Sequence, residues 1–272
     1  MTSFTHDSRR LAETYDRVSD LQFEGGKRLV ERLGLTEGAR VLDVGCGTGR
    51  LAHWIAERVG TTGAVTGIDP LEDRIHVARS RGGNARFEVG QAEDLRAFED
   101  ESFDAVCMSA VLHWIADKAK ALAEARRVLR PGGRLGVTTQ PHELFRTSTL
   151  GLVLEPLLAR APYAGRVDGS MLTFAKPGCT TTDLVSMVVE SRLDLAELHL
   201  MPSARTYASG EAVVDFIEAS SFGTFLRPVP EELRPSLRAD LIAAFDARRG
   251  PEGVAVRGWG VLFVATRGPG GA

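Results

Sequence analysis

Cysteine is scarce, with three in 272 residues at positions 46, 107 and 179 and no Cys-x-x-Cys spacing. That excludes a disulfide framework and fits a reducing compartment, so a cytoplasmic protein is expected. Lysine is nearly absent. There are four, and the other 29 basic residues are arginines scattered along the chain. With a net charge of −3 and no basic run, no nucleic-acid-binding face is expected. Long apolar runs are also missing. The richest, Leu150 to Leu158, is broken by Glu155 and Pro156 and falls well short of the ~20 residues that span a bilayer. Met1 to Arg10 is polar and lacks the apolar stretch of a secretory signal. No clustered His/Cys/carboxylate spacing suggests a metal, and there is no internal repeat or low-complexity linker. The 43% apolar and 25% charged fractions are those of a globular protein. The length suits one large domain or two small ones.

The pattern is helical from Asp7 to Leu33, with Gly34 as its stop. After it, strands and helices alternate. Val41–Val44, Ala64–Ile68, Arg86–Val89, Phe103–Ser109 and Arg134–Thr138 read as strands. Leu51, Ile55 and Val59 mark a helix before Gly60. Pro70 sits at the first position of another, and Ile115, Leu122 and Leu129 mark one ending at Arg130. Such alternation predicts βαβ units and a parallel sheet covered on both faces. After Thr139 it breaks. Glu143–Arg160 and Thr180–Glu190 read as helices, the second with a Thr180…Asp183 capping box. Leu193–Leu200 is a strand, Ser209 caps a helix to Ala219, Pro230 opens a long helix, and Val256–Thr266 is a last strand.

The chemistry sits in Asp43-Val44-Gly45-Cys46-Gly47-Thr48-Gly49-Arg50, a strand running through glycines into a helix. Ligands of open parallel sheets bind at such strand ends, where glycines let the backbone come close. Asp69 closes the second strand, where a carboxylate can take the hydroxyls of a ribose. A nicotinamide dinucleotide is the first candidate. Its GxGxxG pattern wants a small residue at position 50, where Arg50 stands, and Asp43 would repel a pyrophosphate but attract an ammonium or sulfonium. No Tyr-x-x-x-Lys pair is present either. The ligand implied is an adenosine carrying positive charge and no phosphate.

These residues resemble the signature of class I S-adenosylmethionine (SAM)-dependent methyltransferases. Gly67-Ile68-Asp69-Pro70, Gly90-Gln91-Ala92-Glu93-Asp94-Leu95, Ser109 to Trp114 and Arg127-Val128-Leu129-Arg130-Pro131-Gly132-Gly133 resemble the family's later segments in order. The resemblance implies a Rossmann-like, seven-stranded, mostly parallel sheet with its last strand antiparallel. It implies three segments of one catalytic domain: an N-terminal helical lid (1–34), a SAM-binding core (35–139), and remaining strands with an inserted helical cap (140–272). Asp43, Gly45, Cys46, Gly47 and Gly49 would face the methionine part, Asp69 and Pro70 the ribose, Gln91, Ala92 and Glu93 the adenine, and Ser109 would close the pocket. S-adenosylhomocysteine would be the product of in-line methyl transfer. Leu112-His113-Trp114-Ile115 and the apolar final strand Val261–Ala265 resemble trans-aconitate 2-methyltransferases, and Ser19-Asp20-Leu21-Gln22 with His113-Trp114 resembles juvenile hormone acid methyltransferases, which tilts the expectation of O-methylation, at a carboxyl or hydroxyl, toward the carboxyl.

His113 is the candidate general base, or a residue that only shapes the pocket. Tyr15, Gln22, Trp114 and His142 are candidate acceptor contacts, and each is equally an ordinary packing or surface residue. Arg146, Arg160, Arg166, Arg205 and Arg227 can each clamp a carboxylate. His6, His53, His76 and His199 read as surface or helix residues. Apolar Leu150–Leu158 and Met171–Phe174 suggest a partly hydrophobic small-molecule acceptor. Ser109-Ala110-Val111-Leu112 stands where base N-methyltransferases carry [N/D]PP[Y/F], which disfavours that activity. C-, N- or S-methylation, a nicotinamide oxidoreductase and a non-catalytic SAM-binding module remain alternatives. A monomer or homodimer is expected, with no metal.

Overall fold

The computed structural model of the chain describes residues 8–169 and 179–269. His6 and the apolar stretch Met171–Phe174 lie outside the described residues. The chain divides into two compact units. The first holds Met1–Gln140, Thr181–Leu200 and Val261–Ala272. The second holds Pro141–Thr180 and Met201–Gly260.

The first unit opens with α1 (Arg9–Val18) and α2 (Asp20–Leu33). The sequence predicts one continuous helix here, but the chain breaks at Ser19, which is buried with non-helical geometry. Ser8 caps α1 by accepting from the Leu11 N–H, and Gly34 ends α2 in the left-handed region at φ 63°. Then come β1 (Arg40–Val44), α3 (Arg50–Val59), β2 (Ala64–Asp69), α4 (Glu72–Ser80), β3 (Arg86–Val89) and β4 (Phe103–Ser109). Pro70 does not begin α4. It lies in the turn after β2, and the helix starts at Glu72. A 3-10 turn, Leu112–Trp114, precedes α5 (Lys118–Val128) and β5 (Leu129–Thr139).

The helix expected to reach Arg130 stops at Val128 for a visible reason. The Arg267 guanidinium donates to the carbonyls of Arg126, Arg127 and Leu129 at 3.2, 3.1 and 2.5 Å, capping the end. Beyond β5 the chain forms α6 (Thr149–Leu158) in the second unit and α7 (Thr181–Glu190) in the first. It continues through β6 (Asp194–Tyr207), α8 (Gly210–Ser220), α9 (Arg234–Asp246), β7 (Arg249–Gly250) and β8 (Gly253–Thr266).

The strand order is β3-β2-β1-β4-β5-β8-β6. From β3 to β5 the pairs are parallel, and β8 runs antiparallel to β5. Seven strands form this path as expected, and the two-residue β7 pairs with β8 as an eighth. Strand order reverses between β1 and β4, so their carboxyl ends flank a crevice. Among the described residues no helix is long and apolar enough to cross a membrane.

The N-terminal helices are tied to the glycine turn by charge. Arg50 Nη1 donates to the Asp16 carbonyl at 3.0 Å and to Ser19 Oγ at 3.3 Å, while Nη2 meets Asp20 Oδ1 at 2.8 Å. Its guanidinium lies 4.6 Å from the Phe23 ring centroid. Thr48 Oγ1 donates to Asp16 Oδ1 at 2.6 Å, and Arg81 pairs with the same carboxylate.

The second unit has its own core. Leu154, Tyr163, Phe225, Leu237, Leu241 and Phe245 are buried together, and the Tyr163 hydroxyl donates to Asp240 Oδ2 at 2.8 Å. Where one helix is expected over 143–160, a 3-10 turn (His142–Thr147) precedes α6, and Ser148 caps the helix through the Gly151 N–H.

Phe245→Ala should lower unfolding stability by about 3–5 kcal/mol, measured by denaturant titration. Arg50→Ala should loosen the latch by about 1–3 kcal/mol. Hydrogen exchange would then show protection lost over residues 9–33 and kept in β1. Unchanged protection over 9–33 would remove Arg50 from that role.

Candidate functional site

The carboxyl ends of β1, β2 and β4 gather most of the expected site residues in the first unit. Gly45, Gly47 and Gly49 have φ of 73°, 54° and 79°, values that disfavour other residues. At Gly45 space is also closed, since a Cβ would collide with Val111. The Gly45 and Cys46 N–H groups donate to the Ile68 carbonyl at 2.7 and 2.9 Å, fastening the turn to β2.

Asp69 is held rigidly. Oδ2 accepts from the Gly47 N–H and Oδ1 from the Leu71 N–H, both at 3.0 Å. Two backbone donors fix the carboxylate plane at the end of β2. Pro70 follows it in the turn.

Asp43 is 1% exposed. Its Oδ1 accepts from the Cys107 thiol at 3.3 Å, while Oδ2 is buried without a hydrogen-bond partner. Burial, with little to offset it, pushes the carboxyl up to about 7. Burial likewise raises the thiols of Cys46 and Cys107, so neither is a ready nucleophile. An orphaned carboxyl oxygen two residues before the glycine turn suits a ligand cation.

Tyr15 of α1 lies over this turn, its Cε1 3.8 Å from where a Cβ of Gly47 would stand, with the Arg74 guanidinium 4.4 Å from its ring. Burial raises its hydroxyl above the usual range. Gln22 of α2 carries a second buried oxygen with no partner.

At the end of β4, Ser109 Oγ and Thr138 Oγ1 pair at 3.4 Å. Ala110 adopts φ 57°, and its N–H is shared between the carbonyl and hydroxyl of Thr138. A non-glycine residue held there is strained, and such strain gathers at ligand sites. His113 Nδ1 pairs with Thr139 Oγ1 at 3.2 Å, and the Trp114 ring centroid is 5.1 Å from the imidazole. Burial, then the Lys118 charge, lowers His113 to about 4. It is therefore neutral near pH 7.

The third-strand loop is divided in its roles. Gln91 is exposed and bridges to Asp94, and Ala92 is buried. Glu93 turns its carboxylate to the Ala116 and Asp117 N–H groups at 3.3 and 3.5 Å, securing the approach to α5. Beside this loop is a groove of about 550 Å³ lined by Pro70, Val89, Gly90, Gln91, Asp94 and Arg96, among others. His142 belongs to the second unit, where its N–H donates to the Cys179 carbonyl at 3.1 Å.

Sequence reasoning missed Asp16, Arg74, Arg81, Cys107, Thr138 and Thr139. Only Arg50 gave a signal, as a large residue where the nucleotide pattern wants a small one. Among the described residues no group of three His, Cys, Asp or Glu is placed to hold a metal.

A family profile described as a methyltransferase domain matches residues 42–137. The demethylmenaquinone methyltransferase of Staphylococcus aureus (strain MRSA252) is 36% identical over 143 residues, covering 49% of this chain and 59% of that protein. The chloroplastic 2-phytyl-1,4-beta-naphthoquinone methyltransferase of Arabidopsis thaliana is 37% identical over 141 residues, covering 47% and 54%. The chain thus spans little more than half the length of either relative. The YcgJ protein of Bacillus subtilis shares the fold with a TM-score of 0.63 at 18% identity, covering 91% of this chain and 99% of that one. The matched segment, residues 42–137, holds the glycine turn and the two strand-end carboxylates and is similar to a methyltransferase domain, on a fold shared with that solved structure.

Proposed function

We propose that this protein binds SAM and transfers its methyl group to an oxygen of a small, partly hydrophobic acceptor. The observation that carries the reading is the pair of strand-end carboxylates: Asp69 locked by two backbone donors, and Asp43 with one buried oxygen left open. SAM, when bound, would supply a sulfonium-activated methyl group to an ionised acceptor oxygen and would leave as neutral S-adenosylhomocysteine. The chain's residues have three tasks. Gly45, Cys46, Gly47 and Gly49 admit the amino-acid portion and Asp43 meets its ammonium. Asp69, with Pro70 beside it, takes the ribose hydroxyls, and Gln91 and Ala92 border the adenine. Ser109, His113 and Trp114 line the methyl-transfer side, while Tyr15 and Gln22, on the segment 1–34, close over the glycine turn.

Two relatives named for a demethylmenaquinone and a phytyl-naphthoquinone support an acceptor that is a ring with apolar surroundings. An imidazole held near 4 is uncharged and free to accept a proton at neutral pH, yet it is a weak base. That favours an acceptor oxygen already ionised, such as a carboxylate or an acidic hydroxyl.

Calorimetric titration with S-adenosylhomocysteine and SAM should show micromolar binding, and NADH none. The reverse pattern would make the chain a nicotinamide enzyme. Adenosyl binding with no methylated product from a panel of quinols, phenols and hydrophobic acids would leave a non-catalytic SAM-binding module. Asp69→Ala should weaken S-adenosylhomocysteine by ~1.5–3 kcal/mol for each charge-assisted hydrogen bond lost. At saturating SAM and acceptor, kcat should be flat from pH 5.5 to 8, because His113 stays neutral throughout. His113→Gln should cost less than tenfold in kcat. A loss of 10²–10⁴ would instead make His113 the general base.

A further inference from the structure

Asp43 and Cys107 are register partners on adjacent parallel strands, β1 and β4, at the point where strand order reverses. On the other side the partner of Asp43 is Gly67 of β2, which offers no side chain. A Cβ on Gly67 would lie 2.9 Å from Cys46 Sγ. The Asp43 carboxyl is thus enclosed, with a single weak donor on Oδ1 and nothing on Oδ2. The titratable groups around it are Cys107 on β4, Cys46 in the glycine turn and Asp69 at the end of β2. The Arg74 guanidinium of α4 bears on Cys46 and Tyr15. An ionised carboxylate stripped of water and of partners is costly, and such a group keeps its proton instead.

We propose that Cys107 is the positioning residue for Asp43, and that the Asp43 carboxyl holds a proton until the ammonium of an adenosyl amino acid seats against Oδ2 and displaces it. The balance is simple. A neutral carboxylic acid and a ligand ammonium become a carboxylate–ammonium pair, and one proton goes to solvent. No other bond changes. The Cys107 thiol, donating to Oδ1, steadies the carboxylate form and fixes which oxygen is offered to the ligand. The burial-driven rise at Asp43, and the opposing pull of the Cys107 hydrogen bond, agree with this arrangement.

This inference rests on the SAM-binding reading, and one experiment separates the two. S-adenosylhomocysteine is titrated calorimetrically at pH 6 and 7 in phosphate and in a buffer of high ionisation enthalpy. That range lies below ~8, where an α-amino group loses its own proton. The expected result is net proton release, close to one proton at pH 6 and smaller at pH 7, with affinity rising up to tenfold per pH unit. Asp43→Asn should abolish the release while weakening the ligand. Cys107→Ala should bring the release at pH 7 closer to a full proton and weaken binding, and Cys107→Ser should restore the wild-type pattern or shift it the other way. Binding without buffer dependence overturns the proposal, as does release that persists in Asp43→Asn. A Cys107→Ala protein with wild-type release at pH 7 removes Cys107 from the role. No binding of the ligand to the wild type overturns the SAM reading itself.

Discussion

The structure of the first unit turns on one carboxyl group buried at the end of β1. Taking a charge out of water costs several kcal/mol unless a partner repays it. Asp43 has one thiol hydrogen bond and one empty oxygen. Its surroundings explain the sequence nearby. Gly67 opposite leaves the space that Cys46 occupies, and the glycine turn brings backbone rather than side chains to the mouth of the crevice. The folded state keeps this proton up to about 7, whereas the unfolded carboxyl ionises near 3.8. Stability from that difference is complete below the lower value and lost as pH rises through the higher one. A fold that served stability alone would place an apolar residue there. A buried carboxyl group with one unpartnered oxygen at that point is the feature on which the proposed cation contact rests.

Arg50 gives the second constraint. At this position a dinucleotide-binding turn needs a small residue, so that helix and strand pack closely. Here the guanidinium reaches out of α3 and gathers the elbow between α1 and α2 through Asp16, Ser19 and Asp20. The residue that argues against a pyrophosphate thereby also explains why the N-terminal helices lie over the turn. Thr48 and Arg81 converge on Asp16 from the same side. The turn and the helices above it are one electrostatic assembly, and Tyr15 is placed by it.

Much of the core was legible because its signals are local. Strand residues, glycines and closing carboxylates follow one another within each βα unit, so β1 to β4 appear where periodicity puts them. What escaped depends on distant partners. Cys107 meets Asp43 across 64 residues, and only the strand register reveals the pair. The end of α5 is set by Arg267, more than a hundred residues away in sequence. The break at Ser19 follows from the Arg50 latch, since the residues on either side are compatible with helix. Glu93 matches a cofactor-loop pattern, and its further contact with the backbone before α5 is visible only in three dimensions. The core of the second unit draws on residues from Val153 to Val254, so no short window of sequence displays it.

The low affinity of His113 for protons bears on what kind of acceptor such a site serves. Methyl transfer from a cationic donor to an anionic oxygen cancels charge, so a poorly solvated site favours the transition state over the separated ions. The same burial also disfavours the charged form of His113, leaving it neutral well above about 4. A site built this way is suited to positioning and desolvation and poorly suited to pulling a proton from a weakly acidic alcohol. Asp43 follows the same physics with the opposite sign. Burial raises the acid to about 7 and lowers the base to about 4, so it disfavours the charged form of both groups, and in the proposed reading the charge would enter with the cofactor.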